Sequence, residues 1–372
     1  MTNNANTAAL ALSISECVAM VKAIGPTRTI LIEGDMGIGK STLLKLLAAE
    51  PELHGHTPVY FDCTTRQPED ISVPHFGEAN AYVRSVPHED FGLHLSKPVL
   101  LMFDELGKAP NGMLRAVRRV LLERTLGSQR LPEGSIVFAT TNLGAEGMGD
   151  RLEPHQENAI ITVRLAKPTP EEFISWGIGA GLDPMLLGFV REYPATLASF
   201  TDYDMSDPQR AYAENPYIYF PRGLQRKFCT PRSLHAASDV LKTRPYISDA
   251  ALRAALVGTL GPAGGGDLMA FVKMASDMPK RADIIADPHG CRVPQQPGAV
   301  CLIVSGALQA MSADWAGAWV TYMQRLPMEA QAMFANAVSA KTYDPERRAA
   351  LMRCREYTDW VRTNTHLFSH TS

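Results

Sequence analysis

Apolar and polar positions in the first half of the chain follow two different periods. Ile14, Val18, Val21 and Ile24 recur at helical spacing over residues 13–24, which predicts an amphipathic helix stopped by Gly25-Pro26. Residues 29–33, 59–62, 98–104, 135–141 and 160–163 are instead short, near-continuous apolar runs. Runs of this kind predict strands buried on both faces. A helical stretch over residues 40–49 follows the first of them. Strands alternating with helices predict a parallel five-stranded sheet covered by helices on both sides. The first dozen residues are small and polar and predict a loose arm.

Beyond Lys167 the strand pattern stops. Thr169-Pro170-Glu171-Glu172 has the form of a helix start, with Thr169 as N-cap, Pro170 in the first position and Glu172 closing a capping box. Residues 202–222 predict an ordered loop, and the glycine-rich residues 261–266 a flexible joint. The expected organisation is an α/β domain over 1–167, a helical domain over 168–260 and a C-terminal helical region over 261–372.

Composition narrows the class without naming a chemistry. The 372 residues are 45% hydrophobic and 20% charged, enough for a large core. A net charge of -3 gives no global case for nucleic acid or an anionic membrane. Six scattered cysteines with no C-x-x-C pair predict reduced thiols. The run at residues 8–12 is too short, and lacks the basic segment, for a secretory signal. No apolar run approaches the roughly 20 residues of a membrane span, so a soluble, cytoplasmic protein with no membrane partner is expected.

Candidate chemistry concentrates at strand ends. Gly34-Asp35-Met36-Gly37-Ile38-Gly39-Lys40-Ser41 fits G-x-x-x-x-G-K-[ST], followed by Thr42. Glycines let backbone N–H groups curl around phosphates, Lys40 reaches toward the β and γ groups, and the Ser41 hydroxyl suits Mg2+. The loop follows a predicted strand and opens a predicted helix, the context such a loop requires. Residues 100–105 run from an apolar strand into Asp104, a second metal-site candidate, and Glu105, a candidate general base. Asn142 ends the strand 136–141, where it can orient water or sense a phosphate; a turn asparagine is the alternative. Arg232, in Thr230-Pro231-Arg232-Ser233, stands at a helix start where the dipole repels cations, which points to an anionic partner or to simple solvation.

Other features have plainer readings. Arg115, Arg118 and Arg119, with Arg124 beyond, form a basic helix face, solvated or in contact with a neighbouring subunit or DNA. Tyr217, Tyr219 and Phe220 fit packing better than a partner site. Trp315, Trp319 and Tyr322 share a helix face and read as core. His289-Gly290-Cys291 lacks companions at metal-ligand spacing.

Taken in order, these motifs resemble the MoxR branch of the AAA+ ATPases, particularly the phage-encoded MoxR-like ATPases. The similarity is ordered over residues 30–142 and looser to about Leu241. The resemblance implies that residues 34–41 are Walker A and Asp104-Glu105 Walker B. Glu105-Leu106-Gly107-Lys108-Ala109-Pro110 is similar to the family's D-E-[IL]-x-[RK]-A-P continuation. Asn142 then corresponds to sensor 1 and Arg232 to sensor 2. An inserted helical element is expected over residues 70–95, and a hairpin around 127–132.

The resemblance further implies ATP with Mg2+, a homo-oligomeric ring (a hexamer), and chaperone-like remodelling of a protein client, with a von Willebrand factor A domain protein as a candidate. Where such rings commonly carry an Asn-Arg pair that supplies a trans arginine, this chain has Asn158-Ala159; Arg151 and Arg164 flank the spot as substitutes. Two other readings stay open: a nucleic-acid-linked motor or loader, and a nucleotide-gated scaffold with slow hydrolysis.

Overall fold

The computed structural model describes residues 11–77, 82–143, 159–221, 223, 225–275 and 278–368. The chain divides into two compact units, Met1–Lys167 and Pro168–Ser372.

In the first unit, β1 (Ala11–Leu12) precedes α1 (Ile14–Ile24), which opens on a Ser13–Glu16 capping box. There follow β2 (Ile30–Gly34), α2 (Thr42–Ala48), β3 (Thr57–Asp62), and an antiparallel pair, β4 (Ser72–Phe76) with β5 (Val83–Pro87). Next come β6 (Val99–Asp104), α3 (Asn111–Glu123), the hairpin β7 (Thr125–Leu126) and β8 (Gln129–Arg130), then β9 (Ile136–Asn142) and β10 (Ile161–Leu165). The main sheet has six strands in the order β1-β10-β2-β9-β6-β3, every pair parallel.

The five expected strands are present, and the sixth corrects the loose arm: Ala11 and Leu12 pair with Arg164 and Leu165 along the outer edge of β10. Period-2 alternation splits the buried strands between two cores. Leu101 and Phe103 pack with Met113 and Val117 of α3 on one face. Leu100 and Met102 pack with Val18 and Val21 of α1 and Leu43 and Leu47 of α2 on the other.

One local expectation changes and another holds. The insertion over residues 70–95 is a β-hairpin with flanking 3-10 turns rather than a helical element. Ser72-Val73-Pro74-His75-Phe76 contains an internal proline and no helical stripe, so the strand wins locally. The hairpin expected at 127–132 is β7–β8, with Gly127 at φ 53° in its turn. A Cβ on Gly127 would lie 2.4 Å from the Ser85 carbonyl oxygen, so this tip abuts β5 as closely as only glycine permits.

The second unit is helical: α4 (Pro170–Gly179), α5 (Pro184–Glu192), α6 (Pro208–Glu214), α7 (Pro231–Lys242), α8 (Asp249–Ala275), α9 (Arg281–Ala286), α10 (Pro297–Gln309), α11 (Ala316–Met323), α12 (Met328–Ser339), α13 (Pro345–Met352) and α14 (Arg355–Thr363). The Thr169–Glu172 capping box opens α4. One core runs from Phe173 to Trp360, with Trp315, Trp319 and Tyr322 inside it. Phe220 is buried, and the Tyr217 hydroxyl donates to Asp267 Oδ2 at 2.7 Å, so both aromatics serve packing within this unit.

The glycine-rich joint lies inside α8. Gly261, at φ 84° and ψ 173°, breaks that element into two helices, and Pro262 begins the second. Gly265 then comes so close to Val257 that a Cβ would sit 2.5 Å from its Cα. The joint is thus a tight corner, with Leu256, Leu260 and Leu268 in one shared core. Among the described residues α8 alone is long and apolar enough to cross a membrane, and the Gly261 corner interrupts it.

Candidate nucleotide-binding site

The loop between β2 and α2 is shaped by its glycines. Gly37 and Gly39 take φ of 70° and 104°, values that side-chain-bearing residues rarely adopt. Gly34 is needed for space: a Cβ there would lie 2.6 Å from Ile38 Cδ1 and 3.1 Å from the Leu165 carbonyl oxygen. Helix α2 begins at Thr42, later than the sequence suggests, leaving Lys40 and Ser41 to the loop.

Lys40 is 6% exposed and donates to the Gly34 and Asp35 carbonyls at 2.7 and 2.9 Å, and to Asn142 Oδ1 at 2.7 Å. Asn142 is there because β2 and β9 pair in register, Gly34 opposite Asn142. The sheet thus brings a residue 102 positions away to the loop's ammonium.

Asp104 ends β6, next to β9, and is 4% exposed. Its Oδ2 accepts from Ser41 Oγ at 2.7 Å and from the Tyr60 hydroxyl at 2.9 Å. Its Oδ1 accepts from the Glu105 amide at 3.0 Å and from the Thr140 hydroxyl. Four donors therefore fix both oxygens of one buried carboxylate. Burial, then the bond to Asp104, pushes the Tyr60 phenol well above its ordinary range. Burial, with Asp62 and Asp104 nearby, does the same to the Cys63 thiol.

Glu105 adopts φ 55°, ψ 35°, a left-handed conformation in which few non-glycine residues are found. That turn ends β6 and starts the 3-10 turn Leu106–Lys108. Lys108 Nζ lies 3.0 Å from Glu105 Oε2, and the Gly107 amide donates to Thr141 Oγ1 at 3.2 Å. Ser41 and Asp104 offer hard oxygen donors within 2.7 Å of each other, a donor set that fits Mg2+.

The structure therefore gathers Lys40, Ser41, Asp104, Glu105 and Asn142 around one loop. Arg232 belongs to the second unit, exposed in the first turn of α7 behind the Thr230 N-cap. Arg164 sits within β10, in register with Ala11 on one side and Glu33 on the other, which takes it off the sheet edge. Arg151 and Asn158 lie outside the described residues, while Ala159 is exposed just before β10. Arg124 leaves the basic face of α3: it donates to the Ser135 and Gly25 carbonyls as a structural bracket, and burial lowers its pKa.

Sequence reading missed Thr140, Tyr60 and Lys167. Thr140 had a signal, a polar residue inside a strand otherwise buried on both faces, which must find a partner. Lys167, 3.2 Å from Asp35 Oδ2, had none.

No family model matches the chain. It is 30% identical over 167 residues to an ATP-dependent protease ATP-binding subunit-like protein of Rhodococcus erythropolis, a match covering 41% of this chain. The chain spans 47% of that relative's length. Solved structures that resemble it include NtrX of Brucella abortus in complex with ATP, at 15% identity, 70% and 67% coverage of the two chains and TM-score 0.30. A RuvB variant of Thermotoga maritima matches at 13% identity, 71% and 88% coverage and TM-score 0.34. Strand order and loop geometry make the first unit an α/β P-loop fold.

Proposed function

We propose that the protein is an AAA+ ATPase of the MoxR type. In this reading it binds ATP with Mg2+ at the loop of residues 34–41 and couples binding and hydrolysis to remodelling of a protein client as a hexameric, cytoplasmic ring. The observation that carries the reading is the convergence of Lys40 on Asn142 and of Ser41 on Asp104, across three strand ends. Lys40 and the loop amides bind the polyphosphate. Ser41 and Asp104 would hold the metal, which when bound supplies charge neutralisation at the phosphates. Glu105 takes a proton from the attacking water, and Asn142 orients that water. Arg232 would contact the same phosphates, and a von Willebrand factor A domain protein is the candidate client.

Exposed Ala159 favours one variant of this proposal, a nucleotide-gated scaffold with slow turnover. A trans arginine is worth about 10³-fold or more in rate, so its replacement by alanine would leave binding intact and hydrolysis weak.

The test is steady-state ATPase with and without DNA, alongside size exclusion with and without nucleotide. Glu105→Gln should lower kcat by about 10²-fold or more while ATP still binds. An unchanged rate would remove Glu105 from the mechanism. Strong stimulation by DNA would favour a motor or loader, and a monomer under every nucleotide condition would exclude the ring.

A further inference from the structure

The phosphate loop contains an acidic residue, an awkward choice for a site that receives a polyanion. Asp35 follows Gly34 directly, and its own carbonyl accepts from Lys40. Its side chain is 5% exposed, and Oδ2 has no aligned hydrogen bond among the described residues. A carboxylate so placed is costly to bury without a nearby countercharge. Lys167 Nζ lies 3.2 Å from that oxygen, with the lysine side chain itself 10% exposed.

The sheet explains the meeting. Strands β2 and β10 are parallel and paired, Glu33 opposite Arg164, so both chains leave the sheet at the same end. Two residues past β10, Lys167 reaches the loop that begins where β2 stops. Close packing of Gly34 against the Leu165 carbonyl holds the two exits together.

We propose that Lys167 is a positioning residue for nucleotide: its ammonium cancels the charge of Asp35 and so sets the loop's affinity for polyphosphate. This rests on the nucleotide-binding reading above. A bare Asp35 charge would repel the incoming phosphates from within their own cradle. The repulsion acts through a partly buried medium, where one unit charge against a polyphosphate several ångströms away corresponds to about tenfold in affinity.

The experiment is calorimetric titration of the full chain with ATP, ADP and adenosine in Mg2+. Lys167→Met should weaken ATP about tenfold, ADP less, and adenosine not at all. Asp35→Asn should tighten ATP, and the double variant should return close to the wild type. Lys167→Arg should keep wild-type affinity. A purely structural pair would lower the melting temperature and affect all three ligands alike, and that pattern overturns the proposal. So does Lys167→Met affinity within about twofold of wild type.

If Lys167→Met does not fold, Asp35→Asn is compared with Asp35→Asn/Lys167→Met, since neither leaves a buried carboxylate unpaired. The first should bind ATP about tenfold more tightly, and equal affinities overturn the proposal. Failure of the wild type to bind ATP at all would instead sink the nucleotide-binding reading itself.

Discussion

Thr140→Val is the sharpest probe of the carboxylate at the centre of the site. The substitution keeps the shape of the side chain and suits a strand, but deletes one hydroxyl. Thr140 is fully buried, and Asp104 is 4% exposed, so water cannot replace the lost donor. The bond goes to Asp104 Oδ1, which would keep only the Glu105 amide at 3.0 Å. A hydrogen bond to a charged group contributes roughly 1.5–3 kcal/mol. The unit that carries it has 167 residues, Met1–Lys167. For a unit of that size each kcal/mol shifts the melting temperature by roughly 2–4 °C, so the transition should fall by about 3–12 °C.

Differential scanning calorimetry of the full chain is the suitable assay, because two units need not melt together. Thr141→Val serves as the neighbouring control, since Thr141 accepts from the Gly107 amide and does not touch Asp104. The Mg2+ concentration that half-saturates ATPase activity should also rise in Thr140→Val, as Asp104 loses part of its fixed orientation. A first-unit transition within about 1 °C of the wild type, with unchanged Mg2+ dependence, would refute the role assigned to Thr140.

Three further outcomes follow from the second unit and the cysteines. Helices α5 and α10 touch at Gly188 and Gly298, where a Cβ on either would come within 2.6 Å of the other's carbonyl oxygen. Gly188→Ala should therefore destabilise by about 1–3 kcal/mol in a denaturant melt, and a neutral result would contradict that close approach. Burial pushes the Tyr322 and Tyr357 phenols up to about 12, against an ordinary value near 10. The stability they contribute is fully present below about pH 10 and is lost as pH rises through about 12. Urea midpoints that stay level between about pH 8 and 11.5 would count against it. In native protein near pH 8, iodoacetamide should reach the half-buried Cys291 and Cys354 before the buried Cys17, whose thiol burial and Glu16 raise to about 11. Mass spectrometry after brief labelling reads the order, and early modification of Cys17 would contradict its placement in the core.

Five strands of the main sheet and the glycine loop after β2 are legible in the order of residues. Short apolar runs alternating with helical stretches suit strands buried on both faces, and G-x-x-x-x-G-K-[ST] between a strand and a helix is the pattern of a phosphate-binding loop. The sequence also places Asp104, Glu105 and Asn142 at strand ends, because polar residues closing apolar runs mark the carboxyl ends of strands. Its errors were local ones. Residues 70–95 form a hairpin where the resemblance implies a helical element, and Ala11–Leu12 is a two-residue strand, too short a pattern to read.

Strand order and register were decided only in the tertiary structure, since pairing partners are distant in sequence and no local pattern encodes them. Register set Asn142 beside Gly34 and gave Lys40 its acceptor. Neighbouring strands supplied Tyr60 and Thr140 to Asp104. The shared exit of β2 and β10 paired Asp35 with Lys167. Each of these contacts is brought about by backbone pairing between distant segments, so composition and periodicity name none of the partners, and the polar Thr140 inside an apolar strand signals only that it needs one.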